Sequence, residues 1–270
     1  MEESLRGITD QGRKIQERLG FRIGDRGTHS SRTIMLAELR LLLNTLPPDA
    51  PKRAHFDAII RDNILGKRTV STREYSARRL SEMYGLDPSI PLYRAMRFFW
   101  TADNEGRPLL AFLCAFARDP LLRLTAPAIL STRQGETVTT ERIEAELAPA
   151  VEGRFNQSIL NKVARNAASS WTQSGHLTGR AHKVRSHPVA TPANAAFAIF
   201  IGYLEGKRAQ RLFDTVWVKL LDRPLEHVVQ LVVDASRRGL LVYKSAGGVI
   251  DILFPDLLTQ EEQELIREQG

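Results

Sequence analysis

Residues 153–187, GRFNQSILNKVARNAASSWTQSGHLTGRAHKVRSH, decide how this chain is read. Phe155, Ile159, Val163, Ala167 and Trp171 recur at every fourth position, with Leu160, Ala164 and Ala168 beside them. That spacing predicts a helix with one apolar face turned to a core. The opposite face carries Ser158, Asn161, Lys162, Arg165, Ser169 and Gln173, and no carboxylate. Solvated helices ordinarily mix Glu with Lys, because opposite signs at i,i+4 support each other. A face of amides, hydroxyls and cations alone suits a polyanion. Gly175 is placed to take the left-handed position that ends the helix, with Leu177 just past it. Arg180, His182, Lys183, Arg185 and His187 follow, up to Pro188. Helix, tight stop and basic arm have the order of the recognition helix and wing of a winged helix-turn-helix, and so of a nucleic-acid-reading surface. The competing reading is a helix that only covers a core. Against it stands the absence of Asp and Glu from Gly153 through Leu204, in a chain with 31 acidic residues.

Upstream, LLRLTAPAILS (121–131) reads as a short helix and Gly135 as a turn. Thr139 or Thr140 then caps a helix with Glu141 and Glu144 in its first turn, where acids suit the dipole, and with Ile143, Leu147 and Val151 inside. Residues 120–190 therefore form the expected winged helix-turn-helix.

Working outward, residues 1–31 read as a flexible basic leader with a short helix near Asp10–Leu19. Residues 32–119 read as a helical bundle. Its helices are expected from Ser30 or Ser31 to Leu46, from Lys52 to Leu65, and from a cap at Ser71 or Thr72 to Tyr84. Two more run over Ile90–Ala102 and Leu109–Arg118. The last is apolar nearly all round, the mark of a buried centre. Lys67, Arg68, Arg73 and Arg78 make a second basic cluster, interleaved with Glu74 and Glu82, so a solvated face competes evenly with a contact surface there. Residues 191–258 read as a helical domain with a β-hairpin: helices over 191–204, 207–221 and 224–239, then LLVYKSA–GG–VIDILF around Gly247-Gly248. Glu226, Asp234 and Asp251 beside Arg237 and Arg238 favour packing or partner binding at that hairpin over DNA contact. Residues 259–270 read as a tail, with an acidic polar helix expected over 259–268. The fold class expected is mainly α: an N-terminal helical bundle, then winged helix-turn-helix elements, with a C-terminal β-hairpin. The main boundary falls near Asp119 or Gly135.

Composition sets the bounds. The 270 residues are 43% hydrophobic and 26% charged, ordinary for a globular chain. A net charge of +7 and a pI near 9.8 favour an anionic partner, nucleic acid first. Cys114 is the only cysteine, set in LLAFLCAFA, so no intrachain disulfide or cysteine-rich zinc site forms, and a core role is expected. No apolar h-region opens the chain and no run is long enough to span a bilayer, so a cytoplasmic protein is expected.

Catalytic signatures are missing: no Walker loop, GxGxxG, GxSxG or HExxH. His176, His182 and His187 match no common zinc spacing and have no nearby Asp or Cys, so no metal is expected. The basic region lacks the clustered carboxylates that hold Mg²⁺ in nucleases. No enzyme activity and no cofactor are expected. Lys162, Arg165, Arg180, Lys183 and Arg185 would neutralise phosphates, while Ser158, Asn161, Ser169 and Gln173 would touch base edges. Trp171 falls on the core side.

The segment KRTVSTREYSARRL (67–80), a Thr-x-Ser-Thr helix start followed by paired Arg, leads through helices to a winged helix and the apolar ending VIDILFPDLL (249–258). In this pattern, spread over residues 32–258, the chain resembles the BrxA family of BREX phage-defence systems. It is longer than those proteins, with an added leader and an extra C-terminal helix and hairpin. The resemblance implies a mostly helical, non-enzymatic DNA-binding component acting beside a methyltransferase and other defence proteins. The expected function is thus double-stranded DNA binding as an accessory to such a system. The alternative is a protein–protein adaptor that docks an acidic partner.

Overall fold

Ten successive residues from Leu109 to Arg118 are buried, and the rest of the molecule is laid around them. They belong to a helix, Arg107–Arg118, that is apolar on every side and so must be covered on every side. The computed structural model describes residues 9–268. It is 59% helix in fourteen helices, with a two-stranded hairpin at the C-terminal end.

In chain order the helices are α1 (Asp10–Leu19), α2 (Leu36–Thr45), α3 (Lys52–Ile60), α4 (Val70–Tyr84), α5 (Pro91–Ala102), α6 (Arg107–Arg118), α7 (Pro120–Leu124) and α8 (Ala126–Leu130). Then come α9 (Thr140–Leu147), α10 (Gln157–Gln173), α11 (Pro192–Leu204), α12 (Val216–Lys219), α13 (Leu225–Arg237) and α14 (Gln260–Arg267). Strands β1 (Leu177–Thr178) and β2 (Val184–Arg185) pair antiparallel, as do β3 (Val242–Ala246) and β4 (Val249–Leu253). Gly247 and Gly248 turn the second hairpin at φ 57° and 82°, the two positive values its two-residue loop demands.

Helix α6 packs against α4, α5, α10 and α11. Helix α11 is nearly as buried, from Ala193 to Leu204, and meets α13 on its far side. Cys114 sits at the centre of α6, where burial pushes its thiol up to about 12. Among the described residues the buried apolar side chains from Ile15 to Ile266, Ala50 aside, join in one cluster. The buried apolar residues of 32–119, 120–190 and 191–258 are thus contiguous. Short connections between apolar helices leave each of them sharing its neighbour's face.

Several expectations need correction. Residues 9–31 are not a loose leader, because Ile15, Leu19 and Phe21 are buried and a 3-10 turn at Thr28–Ser30 carries His29 to complete burial. Residues 1–8 lie outside the described part. Helix α2 starts at Leu36, after Met35 in the left-handed region at φ 50°, not at Ser30 or Ser31. Helix α4 is capped by Thr69, with Thr72 closing a capping box from inside. Residues 207–221 are not one helix. A 3-10 turn (Ala209–Asp214) gives way to α12 at Thr215, whose extended backbone and side chain cap the new helix.

Part of the positive charge is internal: Arg97, Arg118 and Arg185 are buried. Arg97, 2% exposed, donates to the carbonyls of Leu43 (3.1 Å) and Leu46 (2.8 Å) at the end of α2. Arg123 bonds the Phe116 and Ala117 carbonyls at the end of α6, both at 2.9 Å, and Arg118 bonds Gly20 and Glu82 carbonyls. Helix C-termini leave carbonyls without intrahelical partners, and a guanidinium offers five donors in a fixed fork. Net charge thus overstates what the surface presents.

Candidate nucleic-acid interface

Helix α9 delivers the chain through a 3-10 turn (Ala148–Val151) to α10, and the two pack together. Thr139 caps α9 and Asn156 caps α10, each side chain accepting a first-turn N–H. Val163, Ala164, Ala167, Ala168 and Trp171 bury the inner face of α10. The apolar stripe starts later than the spacing predicts. Phe155 precedes the helix, and Ile159 is 37% exposed. Trp171 is core, donating from its indole to Thr125 Oγ1 at 2.8 Å.

Gly175 is left-handed at φ 92° and ends the helix as expected. Leu177 then pairs with Arg185 and Thr178 with Val184. A third short segment completes the patch. Thr137 bridges Val184, Val138 N–H donates to Lys183 O (2.8 Å), and Gly135 N–H donates to Arg185 O (2.9 Å). Residues 179–183 form the turn between β1 and β2.

The thirteen residues singled out in the sequence divide into two groups in space. Ser158, Lys162, Arg165 and Arg180 are exposed, as are Arg68 and Arg78. Among the described residues no carboxylate pairs with Lys162, Arg165 or Arg180. Lys183 is partly buried, and its ammonium donates to Gly179 O at 2.8 Å across the turn. Desolvation lowers its pKa.

The others have structural partners. Arg185 was expected to point outward to a phosphate; it is 4% exposed and forms an ion pair with Asp222 at 2.8 Å. It also bonds the carbonyls of Ile129 (3.0 Å), His176 (3.2 Å) and Ser186. Strand alternation turns it inward, opposite to Val184. Gln173 accepts from Leu36 N–H at 3.1 Å, so its amide oxygen caps α2, and its amide nitrogen approaches Ser169 Oγ at 3.4 Å. Asn161 and Gln157 both donate to Glu144 of α9 at 2.7 Å. The helix face is free of carboxylates in its own sequence but not in space. In the second basic cluster Lys67 pairs with Glu38 at 3.0 Å, and Arg73 bonds the carbonyls of Ile60 and Lys67 at 3.3 Å. Arg133 and Arg142 are exposed nearby and were not foreseen, because Glu141, Glu144 and Glu146 dominate the reading of that segment.

A further group was not legible at all. His29 Nδ1 lies 2.8 Å from Asp119 Oδ2, and His29 Nε2 lies 2.8 Å from Ser170 Oγ. The chain of three has the connectivity of a nucleophile, base and orienting acid. Its setting does not suit that chemistry. All three side chains are fully buried, and the Ser170 hydroxyl already accepts from Ile34 N–H and donates to Asn166 O, both at 3.0 Å. Burial by itself would raise the Asp119 carboxyl. The charge and hydrogen bond of His29, with the N–H groups of Leu122 and Thr28, hold it below the usual carboxylate range instead. Gly27 lets the turn approach, since a Cβ there would overlap the Asp119 carboxylate. The group fastens the N-terminal segment to the C-terminal end of α10. Residues 29, 119 and 170 share no local pattern, so nothing in the sequence marks them as neighbours.

Among the described residues no cluster of three or more His, Cys, Asp or Glu could hold a metal ion, and no helix is long and apolar enough to cross a membrane. No protein-family model and no curated protein matches the chain.

Proposed function

We propose that this protein binds double-stranded DNA through α10 and the 179–183 turn, used as the recognition helix and wing of a winged helix-turn-helix. The observation that carries the reading is the trio Lys162, Arg165 and Arg180, exposed and without carboxylate partners on adjoining elements. The order of short strand, helix, helix and paired strands supports it. Contact to the backbone falls to those three, with Lys183 at the edge and Ser158 as the one polar side chain of the set free to reach a base. So few base-reading groups make the binding tolerant of sequence. On the BrxA resemblance, the protein serves as a non-enzymatic accessory of a BREX-type defence system. Gel shifts with a duplex across a salt series test this: binding should weaken steeply with salt, and Lys162→Glu with Arg165→Glu should abolish it while leaving the melting temperature unchanged.

A second reading is favoured by a different surface. Val249 (70% exposed), Leu253 (40%) and Leu225 (45%) stand out of the hairpin unit beside mixed charges. They suit a protein partner. If Val249→Lys abolishes complex formation in pull-downs and the cation variants do not, the adaptor reading replaces the first.

A further inference from the structure

A cleft of about 630 Å³ opens between the segment at Phe21–Ile23, α8 and the connection that runs from Glu205 to Lys219. That volume is within the range of small-molecule sites, roughly 300–1,000 Å³. Its walls include Ile23, Pro127, Leu130 and Val216, and its charged rim is mostly cationic, with Arg22, Lys207 and Arg211. Lys207 and Arg211 are exposed and form no ion pair among the described residues. Lys219 is offset by Asp214 at 3.7 Å.

Two groups in this cleft are unusual together. Trp217 is 2% exposed, and its indole N–H is turned to the Glu205 carboxylate without a well-aligned hydrogen bond. Buried donors are nearly always satisfied, so one held only loosely by the Glu205 carboxylate is open to a better-placed acceptor. Glu205 faces that N–H and forms no ion pair among the described residues. Burial raises its pKa, while Trp217, Lys207 and Arg123 act in the opposite sense. Arg123 cannot neutralise it closely, because its guanidinium is held by the carbonyls of Phe116, Ala117 and Arg22. The cleft therefore offers a carboxylate, which accepts two hydrogen bonds side by side, next to a single N–H donor.

That pattern of two acceptors and one donor complements a flat heterocycle that presents two N–H donors beside one carbonyl. Guanine has this edge in N2–H, N1–H and O6. Adenine sets a lone pair at N1 against the carboxylate, and uracil sets its O2 there. The rim cations suit a phosphate attached to such a base. We propose that the cleft binds a guanine nucleotide, with Glu205 accepting from N1–H and N2–H, Trp217 donating to O6, and Lys207 and Arg211 meeting the phosphate. The site is independent of the duplex-binding face.

Titration calorimetry of the full chain with guanosine monophosphate tests it, with adenosine monophosphate, uridine monophosphate, guanosine and inorganic phosphate as separate arms. The guanine nucleotide should bind at least about tenfold more tightly than either other nucleotide, and guanosine more weakly than its phosphate. Glu205→Gln should remove the preference for guanine. Arg211→Glu, at an exposed position that folding tolerates, should weaken the nucleotide and leave guanosine unchanged. Equal affinity for the three nucleotides, full competition by phosphate alone, or no saturable binding would each overturn the proposal.

Discussion

The guanidinium of Arg185 and the carboxylate of Asp222 meet at 2.8 Å, with 3% and 17% of their side chains exposed. The contact ties β2 to the link between α12 and α13. His187 joins it, its Nδ1 lying 2.6 Å from the same carboxylate oxygen. A cation from the basic arm is thereby spent on holding the arm in place. The arm's remaining exposed cation, Arg180, is presented from a fixed base.

Arg185→Ala should therefore destabilise the fold by about 3–5 kcal/mol, the usual cost of leaving one partner of a buried pair without the other. Arg180→Ala should change stability by no more than about 0.5 kcal/mol, as expected of an exposed side chain. Urea unfolding of the two variants separates a structural Arg from a contact Arg. Equal effects would refute the distinction.

Ser170→Ala removes a hydroxyl that meets His29 Nε2 and the Ile34 N–H. The loss should be about 1–3 kcal/mol, since buried donors are left unsatisfied. No ester or amide hydrolysis by the wild type should depend on Ser170. An ester substrate turned over by the wild type and not by the variant would show that the buried trio opens to solvent.

His176 is fully buried between Ser174 Oγ and the Leu220 carbonyl, and burial lowers its pKa to about 3. In the unfolded chain the imidazole titrates near 6.5. Between these values the unfolded state binds a proton that the folded state refuses. Stability should be unaffected by this group above pH 6.5 and should fall as pH drops from there toward 3. Asp119, depressed in the fold, adds to the loss only at the acid end, below the carboxylate's ordinary range. Thermal melts from pH 8 to pH 4 should show the decline, and His176→Gln should flatten it by about one proton's worth of slope.

For duplex binding, three principal phosphate contacts predict a slope of log K against log salt near −3, at about −0.9 per contact. Arg165→Ala should reduce the slope by about one contact across all duplex sequences. Gln173→Ala should leave the slope unchanged and lower stability by about 1 kcal/mol, because that amide caps α2. A slope altered by Gln173→Ala would mean that the amide faces the ligand.

What could be read along the chain was local. Apolar spacing, Ser or Thr caps and Gly punctuation placed α4, α5, α6, α10 and α11 to within a few residues, and Gly247-Gly248 located the hairpin. These signals work because helix period, capping and positive φ are properties of a few consecutive residues. The side-chain assignments on α10 were less secure for the same reason. Spacing puts Asn161, Lys162 and Gln173 on one face, but it cannot say that Glu144 and the first turn of α2 arrive to occupy two of them. Nor can it tell that Arg185 turns toward Asp222 or that His29 joins Asp119 to Ser170. Those partners lie 17 to 141 residues away. One-dimensional order determined which helices exist, and the packing of distant helices decided which cations remain free, because a buried carbonyl or carboxylate takes up any guanidinium within its reach.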